Sequence, residues 1–340
     1  MRKTMRFAAI GLDHRHVYDL TQGLLDAGLD CAGYCPETTN PHVLTGFRKR
    51  FPDVPAVPRA RLLDDPGIAL VVISAMPSER GPLAIAAMRH GKDVLVDKPG
   101  VASADQLAEI ERVVAETGRI WSVCFSARLL TPSVAKALEI VRAGGIGRVV
   151  HTAGLGPHRL NRATRPAWFW DRATYGGILN DLAGHQIDQF LAFAGADDAE
   201  IVSATVGEYG TAPGFEDFGE IVLRTGDTRG YVRVDWFTPD GLATWGDGRL
   251  FVTGTEGMIE LRKNVDIAGR AGTDHLFLVD REGTRHIDCA NHPVTYFRDF
   301  AHDVAHRTET AVAQRHVFTV SRLSLQAQAR ATRFTPGARP

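Results

Sequence analysis

The chain has 340 residues, 44% of them hydrophobic and 23% charged, with a formal net charge of −1. That length accommodates two domains, each with a substantial core. The balance of charge excludes a basic field for nucleic acid or anionic lipid, and no apolar run approaches the roughly 18–20 residues of a membrane span.

Residues 5–125 alternate strand and helix patterns. Residues 5–11 are a short apolar strand. Over 15–27, Val17, Tyr18, Leu20, Leu24 and Leu25 fall at helical spacing, and Gly28 suits the C-terminal cap. Residues 29–34 read as a second strand, and a helix over 41–51 follows. The unbroken apolar run 68–74 is expected of a strand buried on both faces of a parallel sheet. A helix over 79–90 tolerates Pro82 near its first turn. After a strand at 93–96, Ser103-Ala-Asp-Gln106 is a capping box for a helix that ends at Gly118. A strand at 120–125 closes the series. This rhythm predicts an α/β Rossmann domain, a doubly wound parallel sheet, over residues 1–125.

Thr131-Pro132 opens a helix as N-cap and first helical residue, and Gly144-Gly145 stops it. Strand-like segments then dominate: 147–156, 200–208, 216–225, 229–238, 249–254, 257–262 and 275–288. Polar turns such as Thr255-Glu-Gly257 separate them. One helix, about 178–194, interrupts, and helical pattern returns over 293–306 and 315–331. The expectation is an α+β domain over 126–334 with a large, mostly antiparallel open sheet, then a tail over 335–340.

The opening Met-Arg-Lys-Thr-Met-Arg-Phe7 leads into a strand rather than a signal-peptide core. Cys31, Cys35, Cys124 and Cys289 form no C-x-x-C pair and no zinc-type spacing. Cys31 and Cys124 lie in apolar runs and read as reduced core thiols, so a cytoplasmic location is expected.

Three stretches carry chemistry. The first is Gly11-Leu-Asp-His-Arg-His16, placed after a strand and before a helix, where a dinucleotide-binding protein carries G-x-G-x-x-G. Only Gly11 is present; Asp13 and His16 hold the other glycine positions. The second is Asp97-Lys98-Pro99, directly after a buried strand. It puts Lys98 at the carboxyl edge of the sheet, where open parallel sheets bind ligands. A lysine there can hold a substrate hydroxyl and stabilise a developing alkoxide. The third is the helix from Gly176-Gly177 to Leu191. Asp181, His185 and Asp188 fall within an arc of roughly 60° at about 100° per residue. Leu179, Leu182, Ile187, Phe190 and Leu191 take the other side. A carboxylate one turn before an imidazole can set its tautomer and raise its basicity, as a general base needs. Taken alone, the stripe also reads as a solvated polar face with a chance histidine. The same residues offer metal ligands at i and i+4, but no further ligand is evident and no metal is assigned.

Asp97-Lys98-Pro99 resembles the E-K-P motif of the glucose–fructose oxidoreductase and inositol dehydrogenase family, Gfo/Idh/MocA. Residues 123–128 followed by 143–149 resemble that family's link into its second domain. Gly176-Gly177 to Asp188 resembles its G-G-x-x-x-D-x-x-x-H-x-x-D helix, and Val252-Thr-Gly-Thr-Glu-Gly257 its late G-T-x-G hairpin. The similarity runs from residue 5 to about 330, and the order and spacing of the motifs together make it specific. The resemblance implies a nicotinamide-dependent oxidoreductase. Its second domain would have an open sheet face that covers the nicotinamide and pairs with another subunit, as a homodimer or homotetramer. By analogy His185 takes the proton of a substrate hydroxyl, Lys98 binds and polarises the same oxygen, and Asp181 binds substrate and orients the set.

The opening loop departs from the family pattern. Gly11 still suits the tight turn. Asp13 is expected to cap the first helix, with His14, Arg15 and His16 following, and Arg15 to supply phosphate charge that glycine amides otherwise share. Glu37, just past the second strand, is the acid available to a ribose, which favours NAD over NADP. Ala75, Pro77, Arg80, Asp97 and Pro99 complete the expected cofactor contacts. Arg128, His158, Arg165, Trp168, Trp170 and Tyr175 are expected around the substrate, as aromatic walls and donors for a sugar-like ring; packing is an equal reading for each tryptophan. Residues 235–248, rich in Trp and Asp, read as a lid or a subunit contact. The leading expectation is a dehydrogenase acting on a sugar, polyol or related small molecule, with NAD or NADP and no nucleic acid or membrane partner. A cofactor-assisted lyase, epimerase or glycosidase, and a sensor that regulates a partner, are the alternatives.

Overall fold

The computed structural model describes residues 4–337. The predicted opening residues 1–3 and the end of the predicted tail, 338–340, lie outside them. The chain divides into two compact units. One holds the described residues up to Cys124 together with Pro166–Gly176 and Thr295–Ser321. The other holds Phe125–Arg165, Gly177–Val294 and the described residues from Arg322 onward.

The first unit alternates β1 (Arg6–Leu12), α1 (Val17–Asp26), β2 (Asp30–Tyr34), α2 (Pro41–Arg50), α3 (Arg59–Asp64), β3 (Ile68–Ser74), α4 (Pro77–Arg89), β4 (Asp93–Asp97), α5 (Ala104–Thr117) and β5 (Trp121–Cys124). The five strands are parallel in the order β2-β1-β3-β4-β5, the Rossmann-like pattern expected. The chain switches direction across the sheet between β1 and β3, and that is where such sheets open a crevice at their carboxyl ends. β3 and β4 are buried almost throughout because helices cover both faces. α3 has no counterpart in the sequence reading: six residues with only Leu62 and Leu63 buried are too few to show a period.

α4 begins two residues before the predicted start, which puts Pro82 inside the helix rather than in its first turn. A proline there takes one amide from the helix ladder. Gln106 compensates, its side-chain amide donating to the Ser78 carbonyl at 2.8 Å. The capping box survives in altered form. Ser103 accepts from the Gln106 amide, while the Gln106 carbonyl oxygen accepts from Ala102.

The second unit carries α6 (Ser126–Leu129), α7 (Pro132–Arg142) and β6 (Val149–Pro157). The short α8 (Arg172–Tyr175), which belongs to the first unit, follows in the chain. Then come α9 (Ile178–Leu182), α10 (Gly184–Ala194), β7 (Glu200–Gly207), β8 (Phe218–Thr225), β9 (Thr228–Asp235), β10 (Arg249–Gly254), β11 (Met258–Arg262), β12 (His275–Asp280) and β13 (Gly283–Asp288). α11 (Tyr296–His306) belongs to the first unit. α12 (Gln314–Arg330) and β14 (Thr332–Phe334) close the described chain. Nine strands form one sheet in the order β13-β12-β11-β10-β6-β9-β8-β7-β14. Neighbours are antiparallel except for the parallel pairs β6–β9 and β14–β7. α10 lies across β6 and β9, which is why Gly154 and Gly230 show no side chain toward it.

Three expectations change here. The helix read over 178–194 is two helices that meet at Ala183. The strand read over 275–288 is a hairpin turning at Arg281-Glu282, with Gly283 at φ +123°. Thr131 precedes α7 as expected, but its hydroxyl donates to the Ser126 carbonyl instead of capping the helix. All four cysteines are free and buried, and burial pushes the Cys31 thiol up to about 12. Among the described residues no helix is long and apolar enough to cross a membrane.

Candidate active site

The β1–α1 loop begins at Gly11, whose φ of +69° few side chains adopt. A Cβ here would stand 2.5 Å from that of Ala75, so the turn closes against the β3–α4 loop. The Asp13 and His14 amides both donate to the Ser74 carbonyl, at 3.2 and 2.9 Å. Asp13 is not the helix cap. α1 starts at Val17 with His16 in the N-cap position, too far along for the Asp13 carboxylate. That carboxylate is buried and accepts from Thr38 Oγ1, the Thr39 amide and hydroxyl, and the Met76 amide at 2.5–2.9 Å. Donors on the loops after β2 and β3 satisfy it better than one helix amide would, and they absorb the negative charge that stood against a phosphate.

His14 and His16 turn their rings onto Asp97. Each Nδ1 lies 2.8 Å from a different oxygen of that carboxylate, and the rings meet edge to face with centroids 4.2 Å apart. Asp97 is 1% exposed and also accepts from Ser74 Oγ and Arg80 Nη2, both at 3.1 Å. Burial by itself would raise this carboxyl, but His16, Arg80 and His14 outweigh it and hold it well below the usual carboxylate range. Burial and the neighbouring His16 push His14 down to about 3 despite Asp97, so its imidazole is neutral at pH 7.

Arg80, expected to touch cofactor or substrate, instead braces the motif from beneath. It is 1% exposed and donates to the carbonyls of Ala75, Asp97, Lys98 and Pro99. Those bonds hold the loop in which Lys98 follows β4 and the Lys98–Pro99 peptide is cis. Lys98 itself is buried. Ala75 is buried and Pro77 is the first residue of α4. Arg15 is exposed, as is Glu37, whose carboxylate lies 3.3 Å from Arg59 Nη2. The donor set suits a dinucleotide. Gly11 makes the close turn at the carboxyl end of β1, Arg15 offers positive charge at the start of α1, and Glu37 offers an acceptor for a ribose hydroxyl.

The second unit supplies Asp181 and His185. Gly176 and Gly177 precede α9 with φ of +87° and +91°, and a Cβ on Gly177 would collide with the Gln328 amide. The first amides of a helix lack internal partners. Here the Ile178 amide donates to Glu216 at 2.9 Å and the Leu179 amide to Gln328 Oε1 at 2.8 Å, while Gln328 Nε2 in turn donates to Glu216. Asp181 is half-buried, and His185 is 6% exposed with its ring edge-on to Phe125.

Asp188 parts company with the other two residues of its stripe. It is fully buried and takes a bidentate pair from Arg128, Nε–Oδ2 and Nη2–Oδ1 both 2.7 Å, so Arg128 is engaged in structure. α10 is buried nearly all round, because α6 covers the side away from the sheet. The expected polar face toward an open space is therefore limited to the start of the helix pair. Glu216 and Gln328 escaped the sequence reading because nothing local marks a residue that caps a helix 38 or 149 positions away.

The expected substrate residues separate. In the second unit His158 packs against Trp236 and Trp245, and the Arg165 guanidinium lies 4.8 Å over the Trp236 ring and donates to the Leu160 carbonyl. In the first unit Phe169 packs against Trp168 and Trp170 and stacks on the buried Tyr175. The stretch 236–248 runs without a helix or strand between β9 and β10, and Arg159 ties it down through the carbonyls of Pro239, Asp240 and Leu242.

A family model described as oxidoreductase family, NAD-binding Rossmann fold, matches residues 35–125, and one for the GFO/IDH/MocA C-terminal domain matches residues 134–260. β1, the rewritten loop and β2 precede the first match. A crystal structure from Erwinia carotovora atroseptica SCRI1043, with the general description oxidoreductase, is 42% identical, covers 97% of this chain and 100% of its own, and superposes with a TM-score of 0.93. A Bacillus subtilis (strain 168) protein named scyllo-inositol 2-dehydrogenase (NAD(+)) is 29% identical over 204 residues, 58% of this chain and 56% of its own. Levoglucosan dehydrogenase of Pseudarthrobacter phenanthrenivorans is 29% identical over 130 residues, 37% of this chain and 33% of its own. The match thus spans about half or less of the length of these two curated relatives. Together with a Rossmann-type unit and a unit built on one large open sheet, these matches make the chain a member of the Gfo/Idh/MocA family of oxidoreductases.

Proposed function

We propose that the protein is an NAD(P)-dependent dehydrogenase acting on a secondary alcohol, or the corresponding ketone, of a sugar, polyol or related small molecule. The observation that carries this reading is Lys98. It follows the buried strand β4 at the carboxyl edge of the parallel sheet, in a loop held by the buried Arg80 and Asp97. That edge is where such sheets bind ligands. The names of the curated relatives support the substrate class.

A bound nicotinamide supplies the acceptor or donor of the hydride. The Lys98 ammonium binds the substrate oxygen and stabilises negative charge on it. His185 takes the hydroxyl proton as general base. Asp181, one turn before His185, binds substrate and orients the set. Arg15 and neighbouring loop amides hold the pyrophosphate, and Glu37 takes the ribose hydroxyls, which favours NAD. The four free buried thiols fit a cytoplasmic location, and the open face of the nine-stranded sheet fits a homodimer or homotetramer.

Titration with NADH and NADPH, followed by nicotinamide fluorescence, tests the cofactor; a polyol and sugar panel with both then tests turnover. Lys98→Ala and His185→Ala are each expected to lower kcat by about 10²–10⁴ while the His185 variant keeps its cofactor affinity. Unchanged turnover in either variant overturns the assigned role. The rewritten loop, which precedes the family match, favours one further reading, a sensor without turnover. Binding of neither dinucleotide would favour it over the enzyme.

A further inference from the structure

We propose that His14, His16 and Asp97 form a binding site for one divalent transition-metal ion. One donor atom from each lies within 4.8 Å of the others. Both Nδ1 atoms are already 2.8 Å from the Asp97 oxygens, close to the separation of neighbouring ligands around a metal with bonds of about 2.0–2.2 Å. Small movements of the imidazoles complete the site, and these rings have room for them. Their side chains are 22% and 35% exposed, and the chain between them is a loop and the first position of α1.

The three donors differ in stiffness as a metal site requires. Asp97 ends a buried strand and is fixed by Ser74 and Arg80, both on Oδ2. Its Oδ1 carries only His16 among the described residues, so one carboxylate oxygen remains for an ion. The histidines make no other side-chain hydrogen bond among the described residues. Packing alone gives little reason for two imidazoles where the family's loop carries glycines. The proton balance is simple. Each neutral imidazole moves its hydrogen from Nδ1 to Nε2 and presents the Nδ1 lone pair, and no proton need leave the protein. Two imidazoles and one carboxylate suit Zn²⁺, Fe²⁺, Co²⁺ or Ni²⁺ rather than Mg²⁺ or Ca²⁺. Three protein ligands leave positions for water or another oxygen ligand. Arg80 already balances the Asp97 charge, so the bound ion keeps a net positive charge and favours an anionic oxygen.

The inference does not rest on dehydrogenase activity, because the ion is offered to the chain without dinucleotide. Full-length protein lacking any affinity tag is stripped with chelator and titrated with Zn²⁺ by calorimetry and with Co²⁺ by visible absorption. One equivalent is expected, with affinity lowered on the order of 10–100-fold or more in His14→Gln and His16→Gln. The exposed pair His302 and His306, one turn apart on α11, is the control, and His302→Gln should leave the equivalent in place. No bound equivalent in the wild type overturns the site, as does binding that survives both loop substitutions or falls with His302→Gln. Crystals of the wild type grown with Zn²⁺ decide the matter if a loop variant fails to fold. An anomalous peak bonded to His14, His16 and Asp97 supports the site, and its absence there overturns it.

Discussion

In the first unit the buried carboxylate of Asp97 has four partners drawn from three places: the β1–α1 loop, the end of β3 and the start of α4. In the second unit the buried carboxylate of Asp188 is held chiefly by one, the guanidinium of Arg128. The first arrangement spreads its charge over a loop edge and leaves two rings half-exposed, which suits a place where ligands arrive. The second is closed and rigid, which suits a helix that must present His185 at a fixed angle. A buried charge with many partners tolerates the loss of one, whereas a buried charge with a single strong partner does not.

The largest effect is therefore expected from Arg128→Ala. It strands Asp188 in the interior and should cost about 3–5 kcal/mol, read as a lower urea midpoint. Gln328→Leu comes next. It removes the acceptor of the Leu179 amide at the start of α9 and should cost about 1–3 kcal/mol, with reduced turnover because Asp181 and His185 follow directly. Ser74→Ala deletes one of the four partners of Asp97 and should cost only about 0.5–1.5 kcal/mol. A Ser74→Ala loss as large as that of Arg128→Ala would break the contrast between the two carboxylates.

The smallest expected effect concerns Asp303 on α11, a third buried carboxylate with many partners. Burial would raise it, but hydrogen bonds from Thr308, Thr310 and the Thr310 and Ala311 amides outweigh this and hold it below its ordinary value near 3.8. Its folded value lies below its unfolded one, so its contribution is present above about pH 3.8 and is lost as pH falls through the folded value. Asp303→Asn should be less stable than wild type at pH 7, and the gap in melting temperature should close in acid below that point. A gap independent of pH would show that the amide alone disturbs the site.

The strands of the parallel sheet, the helices between them and the site motifs were legible because their signals are local. An apolar run such as 68–74, a capping box at Ser103 and a glycine beyond a helix each act within a few residues. The break at Ala183 and the hairpin inside 275–288 were less legible, since an unbroken pattern can be interrupted by packing. The misreading of Asp13 has the same origin. Its spacing permitted a helix cap, but the donors that claimed it stand 25–63 positions away.

By itself the sequence determined the alternation of elements, the family motifs and which residue types stand at the loop after β1, because periodicity and turn chemistry are properties of neighbouring residues. Only the tertiary structure decided what those side chains do. It turned His14 and His16 onto Asp97, withdrew Arg80 and Arg128 into structural bonds, and assigned Glu216 and Gln328 to a distant helix start. Buried charges and unpaired amides must find partners wherever the fold brings them, and chain separation carries no record of that choice.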